Sequence, residues 1–125
     1  GVINVNFVSG FVWSEPSDGS KPTTKAPERE MKDPFDFLTS KGKGSGVGPP
    51  MSRLMDQFDL AIKLAGADHV GIGSDFDGAS HFPIGLDDIS RMPLVTDALL
   101  ERGHSAEAVE GMLGANDLRL LWKTL

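Results

Sequence analysis

Residues 69–78 (HVGIGSDFDG) constrain the fold more than any other stretch, because they combine a short apolar strand with an acidic turn. Along an extended chain Val70 and Ile72 point to one face, and the alternate residues up to Asp75 point to the other. In a parallel barrel, helices cover the apolar face, so the other face looks into the interior. Asp75 is then expected to face inward at the carboxyl end of the strand, where barrel enzymes keep their chemistry.

A second strand and a helix precede this stretch. Residues 1–8 alternate between apolar and polar side chains, as a strand does, and Asn6 lies near the end of that strand. Residues 51–65 repeat apolar side chains at three- and four-residue spacing and end at Gly66, which predicts a helix. A strand, helix and strand in this order form a right-handed parallel unit almost without exception. Asn6 would then project toward the same mouth as Asp75; the alternative is that it only satisfies backbone groups of the adjoining loop.

Residues 14–50 differ in composition from the rest, with six of the eight prolines and a Gly- and Lys-rich run at 41–48. Proline and glycine at this density oppose regular structure. Because the segment follows the carboxyl end of a strand, we expect an inserted loop that forms a partly ordered lid at the active face of a single domain. The Gly/Lys run lacks the spacing of a phosphate-binding loop, so a linker is favoured there.

Composition excludes several function classes. The chain is 39% hydrophobic with a formal net charge of −6, which is typical of a soluble globular protein and unlike the basic surfaces that bind nucleic acid. No run approaches the roughly 20 apolar residues of a transmembrane segment. The absence of cysteine removes disulfides and thiolate metal sites. It does not indicate a compartment, so cytoplasmic and periplasmic locations both stay open.

Length suggests that the chain is only part of a protein. A barrel of eight strands and eight helices takes about 250 residues, whereas this chain has 125. It also begins at Gly1, inside an alternating apolar run. We therefore expect the C-terminal part of a longer protein.

Three shorter helices are predicted after the acidic turn. Pro93 suits the first turn of a helix that runs to about Arg102. Ser105 is a good N-cap for a helix that runs to Leu113. Asn116 is predicted to cap the last helix.

The three histidines form no pattern with metal-ligand spacing, so no residue of this chain is predicted to bind a metal. His69 is interpreted as structural and His104 as a solvated residue between two helices. His81 lies in the loop at the mouth and is the histidine predicted to touch substrate. On the residues alone, Asp75 fits equally well as an acid/base group and as a cap for the loop that follows.

Several segments resemble the membrane (renal) dipeptidase family of zinc peptidases. Residues 64–78 are similar to that family's last barrel strand, residues 5–7 to the preceding strand, and residues 85–89 and 109–119 to its closing segments. The resemblance covers most of the chain except residues 14–50. It implies an α/β fold, namely the C-terminal portion (the last two strands and flanking helices) of a TIM-like (β/α)8 barrel, with residues 1–125 as part of that single domain.

The resemblance also implies a function and its residues. A hydroxide bridging two zinc ions would attack the peptide bond of a dipeptide, with the metal ligands on earlier strands and therefore outside this chain. Asp75 matches the catalytic aspartate, Gly78 a residue whose backbone touches the substrate, and Phe11 an aromatic of the substrate pocket. Phe11 replaces the Tyr of the family example and so lacks its hydroxyl. Trp13 is a second candidate for that aromatic contact.

The implied partners are a dipeptide substrate, the missing N-terminal part of the same barrel, and a second copy of the protein as a candidate homodimer. This chain alone is expected to be inactive. The alternative function is a non-catalytic binding or assembly module derived from such a barrel and lacking its metal ligands.

Overall fold

The structure, a computed structural model, describes residues 1–12, 48–79 and 81–125 of the chain. The predicted lid at residues 14–50 lies outside the described residues except for its last three, and Trp13 also lies outside them. The helices and strands are β1 (Ile3–Val5), α1 (Ser9–Val12), α2 (Met51–Ala65), β2 (Val70–Ile72), α3 (Met92–Glu101), α4 (Ala106–Glu110) and α5 (Asn116–Thr124). Within the described ranges, no helix is long and apolar enough to cross a membrane.

β1 and β2 form a two-stranded parallel sheet, and α2 lies between them in the chain. Val5 pairs with Ile72 and Asn4 with Gly71. Because paired residues of a parallel ladder share a face, the apolar and polar faces predicted from alternation are confirmed. The mixed α/β class with a parallel sheet is confirmed as well.

One face of the sheet packs on α2 and forms the core. Phe7 and Val70 are fully buried, and the ring of Phe7 meets that of Phe58 edge-on at 6.3 Å between centroids. Leu54 and Met55 of α2 join the same cluster. Burying a side chain of this size contributes about 1.5–3 kcal/mol, so this contact fixes α2 on the sheet. The helix has the predicted bounds, which confirms that its apolar spacing marked a packed face.

Both strands are shorter than predicted, with three residues each. Their backbones stay joined beyond the regular ladder, because Gly73 donates to the carbonyl of Val5 at 3.0 Å and Phe7 donates to that of Ser74 at 3.3 Å. The extended conformation ends at Asp75, which has a φ of 68°. The alternation of side chains in the sequence continues beyond Ile72, where the regular strand ends. This is why the predicted strand was too long.

The C-terminal helices follow local signals up to a kink. α3 carries proline in its first turn as predicted, and the hydroxyl of Ser105 accepts from the backbone N–H of Ala108 at 3.1 Å. The prediction that the helix capped by Ser105 reaches Leu113 is confirmed. The helical backbone continues from α4 into a π-helical turn (Gly111–Ala115), in which Gly114, with a φ of 148°, is the one non-helical residue.

Asn116 does not cap α5, so that prediction is wrong. Its side chain is buried, 5% exposed, and its amide donates to the carbonyls of Ala67 and Val70 at 2.8 Å each. Asparagine favours helix starts because its side chain reaches nearby backbone N–H groups. Here it satisfies carbonyls at the start of β2 instead, and so ties α5 to the sheet.

Candidate active site

Asn6 and Asp75 meet where the two parallel strands end. The Nδ2 atom of Asn6 donates to Oδ2 of Asp75 at 3.2 Å, although the residues lie 69 positions apart. Parallel strands bring their carboxyl ends to one edge, so residues just beyond each strand become neighbours. This confirms the expectation that both side chains project toward the same end of the sheet.

The other end of the Asn6 amide is also occupied. Its Oδ1 accepts from the backbone N–H of Val8 at 2.7 Å, at the start of the turn into α1. The alternative interpretation, that Asn6 only satisfies loop backbone, therefore describes one end of this amide. The other end binds Asp75.

Asp75 has an unusual backbone and an exposed side chain. Among the described residues it is the one non-glycine residue with positive φ, a conformation that aspartate tolerates better than most residues. Its carbonyl accepts from the N–H of Gly78 at 3.1 Å and closes a four-residue turn. The backbone of Asp75 thus closes the turn, while its carboxylate is exposed at the end of the sheet.

Gly78 gives the carboxylate its space. A Cβ atom at position 78 would overlap Oδ1 of Asp75. The absence of a side chain at this position is therefore a steric requirement of the observed Asp75 orientation. Backbone contact between Gly78 and a substrate stays a prediction.

Three phenylalanine rings pack together next to the turn that begins at Asp75. The ring of Phe76 lies 5.8 Å from that of Phe7 and 5.2 Å from that of Phe82, measured between centroids. Phe76, the residue directly after Asp75, is thereby packed against the core. The sequence interpretation missed Phe76 and Phe82 as supports, and the only available signal was an aromatic residue directly after each polar candidate.

The remaining candidates lie around this point. The backbone carbonyl of His81 accepts from the N–H of Ser9 at 2.9 Å, which joins the mouth loop to the start of α1. Phe11 lies on α1 with its side chain 74% exposed. Asp75 thus contacts both Asn6 and Gly78. The backbone of His81 is joined to the start of α1, and Phe11 is exposed.

The end of the predicted lid reaches the same loop. The carbonyl of Pro49 accepts from the N–H of Ile84 at 3.0 Å. The chain therefore enters α2 from beside the mouth loop, while the lid itself stays a prediction.

The other two histidines have structural contacts. Nδ1 of His69 donates to the carbonyl of Gly1 at 2.8 Å, which agrees with a structural role. The prediction that His104 is solvated is wrong, because its Nε2 lies 2.8 Å from Oδ1 of Asp59 on α2 and its side chain is 19% exposed. Arg102 donates to Asp59, to Asp56 and to the carbonyl of Ser52.

The contacts among Asp59, Arg102 and His104, here called the His104 cluster, shift the pKa values of two of these residues. Burial raises the pKa of Asp59, but hydrogen bonds from His104 and Arg102 lower it by more, so the pKa lies below its usual value. Hydrogen bonds to Asp56 and then Asp59 raise the pKa of Arg102. The cluster fastens α2 to the turn after α3, on residues separate from Asn6, Asp75 and Gly78.

A cavity of about 320 Å³ lies at the opposite end of the sheet from Asp75. It is lined by Gly1, Val2, His69, Arg119, Leu120 and Lys123. Because it lies at the amino ends of the strands, it is unrelated to the Asn6–Asp75 pair.

The described residues do not fit a metal centre. Within residues 1–12, 48–79 and 81–125, no three His, Cys, Asp or Glu side chains are grouped so that they could hold a metal ion. At the end of the sheet they offer the exposed carboxylate of Asp75, which accepts a hydrogen bond from Asn6 on Oδ2 and packs against Gly78.

Comparisons with known proteins point to one family. A sequence model described as "Membrane dipeptidase (Peptidase family M19)" matches residues 1–124. Dipeptidase ataJ of Aspergillus terreus is 47% identical over 86 residues, which are 69% of this chain and 20% of that protein. Dipeptidase 3 of Homo sapiens is 39% identical over 70 residues, or 56% of this chain and 14% of that protein.

A solved structure agrees. The crystal structure of the probable dipeptidase PvdM from Pseudomonas aeruginosa is 36% identical, with a TM-score of 0.54 over 58% of this chain and 18% of that one. The chain thus spans about a fifth or less of the length of the proteins it matches here.

Proposed function

Because the chain belongs to the membrane dipeptidase family, peptidase family M19, we propose that it forms part of a zinc-dependent dipeptidase in which Asp75 transfers the proton. The observation that carries the proposal is the exposed Asp75 carboxylate, hydrogen-bonded to Asn6 at the carboxyl end of a parallel sheet. Barrel enzymes build their active sites at that end of their strands.

The proposed architecture is the C-terminal portion of a (β/α)8 barrel, comprising its last two strands and flanking helices. Support comes from the parallel pair β1–β2 with α2 between them, and from the likeness to a probable dipeptidase of known structure. The short span relative to M19 relatives supports the view that residues 1–125 are one part of a single larger domain. The segment 14–50 would be a lid within it.

Zinc would supply an activated water and polarise the scissile carbonyl. Because the described residues do not fit a metal centre, we assign its ligands to the rest of the polypeptide. In the chemical step, this chain would then contribute the group that transfers the proton. The Asp75 carboxylate would accept it from the attacking water and return it to the leaving amine nitrogen, a role worth about 10²–10⁴ in rate.

The proposed substrate contacts surround that carboxylate. Phe11 would present an apolar wall, as its exposed ring allows. Gly78 would let the substrate approach its backbone, and His81 would offer a polar contact from the mouth loop. Asn6 would offer the second N–H of its Nδ2, the one that does not bind Asp75. The substrate class is a dipeptide.

Replacing Asp75 with Asn in the complete polypeptide tests the proposal. We expect turnover of a dipeptide panel, followed as released amino acids, to fall by about 10²–10⁴ while bound zinc and the unfolding transition stay unchanged. Asp97→Asn, on the exposed side of α3, is the matched control and should retain full turnover. Undiminished turnover in Asp75→Asn would remove Asp75 from the mechanism.

A second candidate function is a non-catalytic binding or assembly module. Two features of the sequence favour it: Phe11 stands where the family example has a Tyr, and residues 14–50 lie outside the resemblance. A complete polypeptide that binds no zinc and hydrolyses no dipeptide would support this candidate. Stoichiometric zinc together with turnover would exclude it.

A further inference from the structure

We propose that Asn6 is a positioning residue, which orients the Asp75 carboxylate so that Oδ1 is the oxygen that exchanges the proton. The proposal rests on the catalytic role given to Asp75 above. It starts from the two ends of the Asn6 side chain, which bind different partners.

The contact with Val8 determines which end of the amide faces Asp75. An asparagine has an accepting oxygen and a donating nitrogen at almost equivalent positions, so its orientation follows from its partners. The N–H of Val8 can only donate, and it lies 2.7 Å from Oδ1 of Asn6. The donating Nδ2 is thereby directed to Asp75.

This arrangement makes the two carboxylate oxygens unequal. Oδ2 of Asp75 accepts from Asn6, and because an amide N–H only donates, that oxygen is kept as an acceptor. Oδ1 lies on the side where Gly78 lacks a side chain. With Oδ2 held as an acceptor, a proton arriving at the carboxylate is directed to Oδ1, which packs against Gly78.

Asn6 is itself well fixed, which a positioning residue must be. The residues on either side of it are joined to the end of β2, Val5 through the N–H of Gly73 at 3.0 Å and Phe7 through the carbonyl of Ser74 at 3.3 Å. Asp75 by contrast is exposed, and an exposed aspartate side chain otherwise rotates freely among its rotamers. The hydrogen bond from Asn6, which the sheet holds in place, restrains the Asp75 carboxylate to one orientation.

Two substitutions separate positioning from a loop-supporting role. Asn6→Asp has the same shape and keeps an oxygen for Val8, but it replaces the donor to Asp75 with a second carboxylate oxygen, which repels the first. Asn6→Ala removes both contacts. We expect both variants to lose roughly tenfold or more in kcat with KM changed less than about threefold, since a transition-state contact affects kcat. If Asn6 only supports the loop, Asn6→Asp keeps wild-type kcat.

A double-mutant cycle in the complete polypeptide completes the test. Because Asn6 acts through Asp75, adding Asn6→Ala to Asp75→Asn should lower kcat by less than about twofold further, whereas independent effects would multiply. Should Asn6→Ala fail to fold, Asn6→Asp and its own cycle carry the test.

The outcomes distinguish the two proposals. If Asp75→Asn retains turnover, the proposed catalytic role fails and the positioning role fails with it. If Asp75→Asn is impaired but Asn6→Asp is fully active, or if the two effects multiply, only the positioning role is overturned.

Discussion

Oδ1 of Asp75 occupies the space that a side chain at position 78 would need, so the carboxylate and Gly78 are fitted to one another. The turn that joins them is closed by their own backbones, from the N–H of Gly78 to the carbonyl of Asp75. Glycine at this position is thus explained by the side chain of a neighbour. Positive φ is not the reason, since the positive-φ glycines of the described chain are Gly66, Gly85, Gly103 and Gly114.

Gly78→Ala is expected to impair turnover without unfolding the protein. The atoms that a Cβ would meet belong to the Asp75 carboxylate, which can rotate away, so the fold survives while the carboxylate is displaced. Misplacing a reacting group by about 1 Å costs up to about 100-fold in rate, and we expect a loss of roughly 10–100-fold in kcat. Gly10→Ala, where a Cβ meets nothing within 4 Å, is the control. Full activity in Gly78→Ala would contradict the orientation of Asp75 described above.

Asn116→Ala is expected to destabilise the protein by about 1–3 kcal/mol, the cost of leaving a buried carbonyl unpaired. The buried carbonyl of Val70 loses this donor, whereas the carbonyl of Ala67 keeps the backbone N–H of Val70. Urea unfolding measures the change as a lower midpoint at constant slope. Asn4→Ala is the control, since Asn4 is exposed and makes only a 3.5 Å hydrogen bond; its change should stay within about 0.5 kcal/mol. Equal midpoints for both variants would disprove the structural role of Asn116.

Asp59 is expected to make stability depend on acid pH. Its pKa is lower in the folded protein than the ordinary carboxyl value, so its contribution is fully present above about pH 4 and is lost as pH falls through the folded pKa. Because the Asp59 side chain is 39% exposed, solvent screens the effect to about 1 kcal/mol or less. The stability gap between wild type and Asp59→Asn in urea should therefore shrink on acidification below about pH 4.

Asp97→Asn supplies the comparison for that series, because Asp97 is an exposed carboxylate on α3 outside the contacts of Asp59 with His104 and Arg102. Its stability difference from wild type should not change in step with that of Asp59→Asn. A gap for Asp59→Asn that is constant from about pH 3 to about pH 7 would show that its contacts with His104 and Arg102 do not contribute to stability.

Signals carried by neighbouring residues predicted much of the fold. The apolar spacing of α2 predicted its observed bounds, and proline and Ser105 marked the starts of α3 and α4. These signals depend on interactions within three or four positions of the chain. They are legible in the sequence because helix geometry brings just those positions together.

Pairings between distant segments were harder to predict. Asn116 was interpreted as a cap because local backbone is its usual partner, yet it binds carbonyls 46 and 49 positions away. His104 was interpreted as solvated because it lies between two predicted helices, but Asp59 of α2 contacts it. Both errors have one cause: the partner is supplied by packing rather than by sequence proximity.

By itself, the sequence determined the parallel strand–helix–strand order, the division of each strand into a polar and an apolar face, and the placing of Asn6 and Asp75 at one end. These follow from strand alternation and the handedness of the crossover. Only the tertiary structure decided that Asn6 binds Asp75 through its nitrogen and that Gly78 leaves room for the carboxylate. The reason is that hydrogen-bond direction and steric fit depend on atomic positions, which arise once α2 has packed on the sheet and brought the two strand ends together.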